Sequence, residues 1–165
     1  MKQKLIFYTK EILLFIVVMT LFANLLSYYK SQDLNKEPLR VTHFTTLENS
    51  IYDIPNNKPV LLHFWATWCS TCQMEADNIE RLSKHFNVIT VAVKSGDATA
   101  VKKYLKEHNY TFKVVNDPKG TLAHTFHVSA FPTTFIYDKN HQLILSDVGY
   151  TSTLGLWVRM FLAQF

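Results

Sequence analysis

The chain up to Lys30 differs from the rest in its pattern of polar and apolar positions. Lys2, Lys4 and Lys10 precede Ile12–Tyr29, eighteen residues with no charge and few polar side chains, Thr20, Asn24 and Ser27 among them. That is near the shortest apolar run that crosses a hydrocarbon core of ~30 Å. A membrane anchor is therefore expected. A cleaved signal peptide would want small residues at a cleavage site after the apolar core, where Leu25, Leu26, Tyr28 and Tyr29 stand instead, so an uncleaved anchor is favoured. The lysines hold the N-terminus (1–11) in the cytoplasm, residues 12–29 span, and Tyr28 and Tyr29 suit the outer interface. Ser31–Arg40 is polar and charged and contains Pro38, which makes 30–40 a linker.

From Val41 the pattern alternates between strand and helix. Val41–Leu47 reads as an edge strand and Pro55–Lys58 as a turn. Val60–Trp65 is apolar except for His63, too short for a helix and rich in branched and aromatic residues, hence a strand buried on both faces. Cys72, Ala76, Ile79, Leu82 and Phe86 then recur at spacings of three and four, one inward stripe of a helix. Asn87–Val93 is a second buried strand. Asp97 is placed to cap a helix through Val101, Tyr104 and Leu105. This βαβ order predicts parallel strands joined by a right-handed crossover. Phe112–Val115 is extended, Asp117–Gly120 is a turn, and a brief helix runs through Leu122, Ala123 and Phe126. Pro132–Tyr137 and Gln142–Val148 form a hairpin across Asp138–His141. Leu154, Trp157, Val158, Phe161, Leu162 and Phe165 share one face of a last helix, predicted to be its inward face. The expected fold is α/β, a central mixed sheet with helices on both faces over residues 41–165, preceded by one N-terminal transmembrane helix.

At 165 residues the chain allows one domain of ordinary size plus the anchor. The net charge of +4 is partly the anchor's own flank, and no dense basic run is present, so no nucleic-acid partner is expected.

Cys69 and Cys72 are the only cysteines. A strand, a tight connection and a helix put Cys69 near a helix N-terminus, where free N–H groups and the dipole favour a thiolate. Two intervening residues on the first turn bring the sulfurs within disulfide reach. A purely structural disulfide would close too short a loop to constrain much. A zinc site needs four ligands and there is no second Cys-x-x-Cys, although two thiolates suit Cu(I). A redox couple is the plain reading, since Cys-x-x-Cys beside a βαβ pattern is the thioredoxin-like signature.

The run Trp65-Ala66-Thr67-Trp68-Cys69-Ser70-Thr71-Cys72 with Glu75 after it resembles the active site of the membrane-anchored, TlpA-like branch of the thioredoxin superfamily. It is most similar to the kind found in copper-tolerance gene clusters and cytochrome c maturation. Asp117, Gly120, Ala123, Phe126, Val128, Pro132, Thr133, Thr134, Phe135, Ile136 and Asp138 recur at that group's spacing, and the resemblance extends from about Val41 to the C-terminus. It implies a thioredoxin-like fold and a protein-disulfide oxidoreductase with no cofactor beyond the Cys69–Cys72 disulfide. Its partners would be protein thiol or disulfide substrates and a membrane electron donor. The anchor would sit in the inner membrane, single-pass, with the catalytic domain facing the periplasm or cell exterior. Ser70-Thr71 between the cysteines matches neither the strongly reducing nor the strongly oxidising version.

Roles follow from position. Cys69 attacks and Cys72, on the buried stripe, resolves. Glu75 lies three residues beyond Cys72 on the same side of the helix, either a base for its proton or a solvated first-turn glutamate. His63 stands where thioredoxin has a buried aspartate, either a proton shuttle or a core histidine satisfied by a hydrogen bond. The resemblance implies that Trp68, Phe131 and Pro132 lie beside the cysteines as a substrate surface, although packing is a sufficient explanation for Trp65 and Trp68; in the family the matching proline is cis, whereas sequence alone allows an ordinary trans edge position. The competing function is a Cu(I)-handling module using Cys69 and Cys72 with His63 or His127 as third ligand.

Overall fold

A single helix, α1 (Lys2–Lys30), leads into the domain in the computed structural model, which describes residues 2–41 and 43–165. Met1, of the expected cytoplasmic end, and Thr42, of the expected first strand, lie outside the described residues, as do the side chains of residues 2–7. Within α1, Tyr8–Lys30 is long and apolar enough to cross a membrane, with a mean hydropathy of 2.1 and none of it buried by the protein.

The domain is built on five strands, β3 (Val60–Trp65), β4 (Asn87–Val93), β5 (Lys113–Asp117), β6 (Thr133–Tyr137) and β7 (Leu143–Val148), in the order β5-β4-β3-β6-β7. The pairs β3–β4 and β4–β5 are parallel, while β6 runs antiparallel to both β3 and β7. Every residue of β3 is buried, as its unbroken apolar run requires of a central strand. Leu61 and Trp65 point to one face, under α2 (Ser70–Ser83), α3 (Ala98–His108) and α5 (Thr153–Leu162). Val60, Leu62 and Phe64 point to the other, covered by α4 (Thr121–Thr125) and by Leu34, Leu39, Phe44 and Ile54. Leu34 and Leu39 belong to the stretch read as a linker, and their burial packs that stretch onto the sheet.

Two expectations need correction. The predicted edge strand at 41–47 is instead one arm of a separate hairpin. There β1 (His43–Thr45) pairs antiparallel with β2 (Ile51–Asp53), and Leu47 hydrogen-bonds to the main sheet, its N–H donating to the Val114 carbonyl at 2.9 Å. Strands of three residues are too short to show a period, which is why β2 left no signal. The second correction is the face of α5. Leu156 and Met160 are fully buried with Ala163, whereas Leu154 (74 % exposed), Val158, Phe161, Leu162 and Phe165 (86 %) face outward and Trp157 lies at the rim. The helix carries apolar stripes on both sides, so hydrophobic spacing cannot choose between them. Two polar contacts orient it: Ser152 caps it by accepting from the Gly155 N–H, and Arg159 pairs with Asp147 of β7 at 2.9 Å.

Helix α2 buries Cys72, Ala76, Ile79 and Leu82 as the spacing predicts, with Phe86 half-buried just beyond its end. Helix α3 starts at the Asp97 cap, whose carboxylate accepts from the Ala100 N–H at 2.8 Å.

Candidate active site

Between the last residue of β3 and the first of α2 lie four residues, Ala66–Cys69, and the whole redox site hangs on this connection. The Thr67 N–H donates to the Ser95 hydroxyl at 3.0 Å, and Gln73 of α2 donates back to the Thr67 carbonyl at 2.8 Å. Cys69 is the cap of α2, its Sγ accepting from the Cys72 N–H at 3.2 Å. The two cysteines form a disulfide with their Cα atoms 5.2 Å apart. Cys69 is half-buried at the mouth of the site and Cys72 is buried beneath it. The Cys69 sulfur thus sits at the positive end of α2, and Cys72 lies among the apolar side chains of the inner face.

Beside Cys69, the exposed Trp68 donates from its indole N–H to the Lys94 carbonyl at 3.0 Å and meets the Phe131 ring edge-on, centroids 5.7 Å apart. Phe131–Pro132 is a cis peptide, as the resemblance implied, and Pro132 is buried, its carbonyl accepting from the Gly149 N–H at 2.8 Å. Trp68 and Phe131 wall a cleft of about 670 Å³ whose other side carries Lys94, Lys119 and His124. Trp65 is buried on the inner face, its indole donating to Thr90 Oγ1 at 3.0 Å.

Glu75 is fully buried. Its Oε1 accepts from the Thr151 N–H at 3.1 Å, and its Oε2 has no hydrogen-bond partner among the described residues. Burial pushes its carboxyl up to about 8, helped by the nearby Asp147 and opposed by the Thr151 hydrogen bond and Arg159. It is thus no solvated first-turn glutamate; at neutral pH it is largely a neutral acid one turn from Cys72. Asp147 is raised as well, chiefly by burial and against the pull of Arg159.

His63 is also buried, its Nδ1 2.9 Å from the Thr134 hydroxyl across the β3–β6 pair. It shares the α2 side of the sheet with Leu61 and Trp65. Burial lowers its pKa to about 3, so the ring is neutral at every working pH.

The structure thus gathers Cys69, Cys72 and Trp68 at the start of α2, brings Phe131 against Trp68, and buries Glu75 one turn beyond Cys72. Sequence reasoning missed the Thr151–Asp147–Arg159 surround of Glu75 and the Thr134 partner of His63. The one signal for the first was Arg159, the lone charge in α5.

Comparison with known proteins agrees with this geometry. Residues 37–146 match the model of the AhpC/TSA family. A thioredoxin-like protein of Haemophilus influenzae is 37 % identical over 135 residues, covering 81 % of this chain and 79 % of that one. Thiol-disulfide oxidoreductase ResA of Bacillus cereus is 29 % identical over 131 residues, 76 % of this chain and 75 % of its own. Among solved structures, the pneumococcal exposed lipoprotein thioredoxin of Streptococcus pneumoniae superposes with a TM-score of 0.65 at 24 % identity, over 72 % of this chain and 96 % of that one, a likeness of fold. With its Cys69–Cys72 disulfide at the head of α2, the chain belongs to the AhpC/TSA family and is a thioredoxin-fold thiol–disulfide oxidoreductase.

Proposed function

We propose that this oxidoreductase works outside the cytoplasm, tethered by Tyr8–Lys30, and exchanges disulfides with protein substrates through Cys69, supplied with electrons by a donor in the same membrane. The observation that carries the reading is the asymmetry of the pair: a half-buried Cys69 capping a helix above a buried Cys72, with the buried carboxyl of Glu75 one turn further along. The apolar helix and the preceding lysines support the tether and its orientation.

In reducing a substrate, the Cys69 thiolate attacks one sulfur of the substrate disulfide, forming a mixed disulfide and releasing the other as a thiolate. Cys72 then loses its proton and attacks the Cys69 sulfur, closing the Cys69–Cys72 bond and releasing the second substrate thiolate. Glu75, ionised in a minor fraction of molecules at neutral pH, takes that proton in its carboxylate form, and the resulting acid is the form favoured in the oxidised protein. When the donor's thiolate attacks Cys69, the leaving Cys72 sulfur recovers the proton from Glu75. A pKa near 8 suits a group that must both take and give. Trp68, Phe131 and Pro132 offer an aromatic and extended surface on which the substrate segment lies beside Cys69. His63 fills its site and fixes β3 against β6 through Thr134, which supports the core-histidine role over the shuttle.

Trapping tests the assignment. In membranes of the native cell, Cys72→Ser should accumulate partners disulfide-linked through Cys69, and Cys69→Ser should trap almost none; equal trapping by both would overturn it. A C-terminal alkaline phosphatase fusion, active only outside the cytoplasm, tests the placement. The copper-handling alternative would need a third ligand such as His63 or His127. Among the described residues no group of three histidine, cysteine or acidic side chains is gathered to hold a metal, and His63 is engaged by Thr134. Stoichiometric Cu(I) binding by the reduced protein, without insulin reduction, would favour that alternative.

A further inference from the structure

We propose that the cleft beside Cys69 selects protein substrates whose reactive cysteine is flanked by acidic residues, with Lys94 and Lys119 as the selecting side chains. The inference rests on exchange through Cys69 as read above and deepens it by naming the chemistry of the segment that enters.

The cleft starts at the redox pair. Trp68, the residue before Cys69, walls it together with Phe131, and the opposite side carries Lys94, Lys119 and His124 and no acidic side chain. A substrate whose sulfur has joined Cys69 and whose chain lies along Trp68 and Phe131 therefore passes between an aromatic wall and a cationic one. A volume of about 670 Å³ is roughly 9 Å across, and at ~3.3 Å per extended residue it holds about three residues of chain.

Lys94 is built into this place. It follows β4 with a φ of +47°, in the left-handed region. Among the described residues, the others with positive φ that are not glycine are asparagines and histidines, types that tolerate that region, whereas a lysine gains nothing local from it. Such a backbone persists only where its surroundings fix it. Here the Lys94 N–H donates to the Asp117 carbonyl at 3.0 Å, and the Lys94 carbonyl accepts from the Trp68 indole at 3.0 Å. The side chain then crosses Gly120, where a Cβ would stand 3.0 Å from Lys94 Cε, so the glycine leaves room for the lysine stem along the cleft wall. The residue that holds the Trp68 ring beside Cys69 thus also carries the charge.

That charge is not spent within the domain. Among the described residues neither Lys94 nor Lys119 has an ion-pair partner. Asp117, the acid nearest to Lys119 in sequence, is buried, and its carboxylate accepts from the Thr121 N–H at 2.7 Å and the Ala123 N–H at 3.0 Å. An acidic side chain on the substrate supplies the missing counter-charge and a basic one is repelled, so the cleft discriminates on encounter and in the complex that precedes sulfur exchange.

The test uses the reduced full chain in nonionic detergent and three peptides that differ only in the residues flanking a single cysteine, all aspartate, all serine or all lysine. Each cysteine carries thionitrobenzoate in disulfide linkage. The Cys69 thiolate attacks the peptide sulfur and releases coloured thionitrobenzoate, and Cys72 then displaces the peptide as its thiolate. Stopped flow gives the rate constants, each divided by that of the same peptide with mercaptoethanol to remove the peptide's own reactivity. Selectivity is the ratio of the aspartate to the lysine value within one protein, so a general change in activity cancels. The expected ratio is ~10 or more at low ionic strength, falling as salt screens the lysines and dropping to about twofold or less in Lys94→Gln/Lys119→Gln. Lys58→Gln/Lys139→Gln makes the same change in net charge beyond the Val60–Tyr137 pair, at the opposite end of β3 from Cys69, and should keep the ratio. A ratio near one in the natural chain overturns the selection and leaves exchange standing, whatever anion the lysines then meet. A ratio that survives loss of both cleft lysines, or that falls equally on loss of Lys58 and Lys139, also overturns it. No release from any peptide overturns exchange through Cys69 and the selection together.

Discussion

Replacing Glu75 with glutamine should make the folded domain more stable at neutral pH, and the gain should appear only as pH rises. In the fold the carboxyl is held at about 8 against an ordinary value of 4.5. Below about pH 4.5 it is protonated whether the chain is folded or not, and the site costs nothing extra. As pH rises through 4.5 the unfolded chain sheds the proton while the folded chain must keep it, so stability falls until about pH 8, where the folded carboxyl ionises too. At about 1.36 kcal/mol per pH unit the full cost is on the order of 5 kcal/mol, and the part incurred between pH 5 and pH 7 is about 2.5 kcal/mol. Glutamine keeps an acceptor for the Thr151 N–H and cannot ionise, so it removes the slope. Thermal unfolding of the oxidised full chain in nonionic detergent, followed by near-UV circular dichroism, should show the two melting curves converging near pH 5 and separating by roughly 8–10 °C at pH 7, taking ~3–4 °C per kcal/mol for a domain of this size. Asp147 is raised in both proteins, so the difference between them isolates Glu75. Melting temperatures that stay parallel from pH 5 to pH 8 would refute the reasoning and show that Glu75 is ionised in the fold.

The same substitution should slow disulfide exchange by ~10²-fold or more wherever proton transfer limits the step, measured by stopped flow with a peptide disulfide. Asp147→Asn should shift the pH midpoint of exchange downward, because a like charge beside Glu75 is removed and Arg159 is left to draw it down; an unmoved midpoint would separate Glu75 from that pair. His63→Asn should leave the pH profile between 5 and 8 unchanged, since the ring is already neutral there, and a new inflection would restore the shuttle. Leu156→Ala should cost about 2–5 kcal/mol in denaturant unfolding and Leu154→Ala within about 0.5, the reverse of what the hydrophobic spacing of α5 suggested.

Where one physical signal dominates, the chain is readable without coordinates. The unbroken apolar run of β3, the single stripe of α2 and the Asp97 cap each admit one solution, and together they put Cys69 at a helix start. The face of α5 was not legible, because two apolar stripes compete and the deciding contact joins Arg159 to Asp147, twelve residues away on another element. Glu75 shows the same limit. Its spacing from Cys72 placed it on the right side of α2, but its burial depends on the approach to α5 through Thr151, which no local pattern announces. Likewise His63 finds its partner, Thr134, only when β3 and β6 pair.

The N-terminal segments also bear on how the sheet stays solitary. An open sheet ends in two strands whose outward N–H and C=O groups invite pairing with another chain, and β5 and β7 are those strands here. Each is met by a residue from the chain's first third: the Val114 carbonyl of β5 by the Leu47 N–H, and the Val148 N–H of β7 by the Ser27 hydroxyl. Helix α1 therefore acts as a guard on a strand edge. A fragment that begins after Lys30 loses the cover on β7 while keeping that on β5, and it gains a one-sided template for strand addition. Under the proposed tether, copies would crowd side by side in the plane of a membrane, where an open edge is most exposed to its neighbours and the Ser27 contact would cover it.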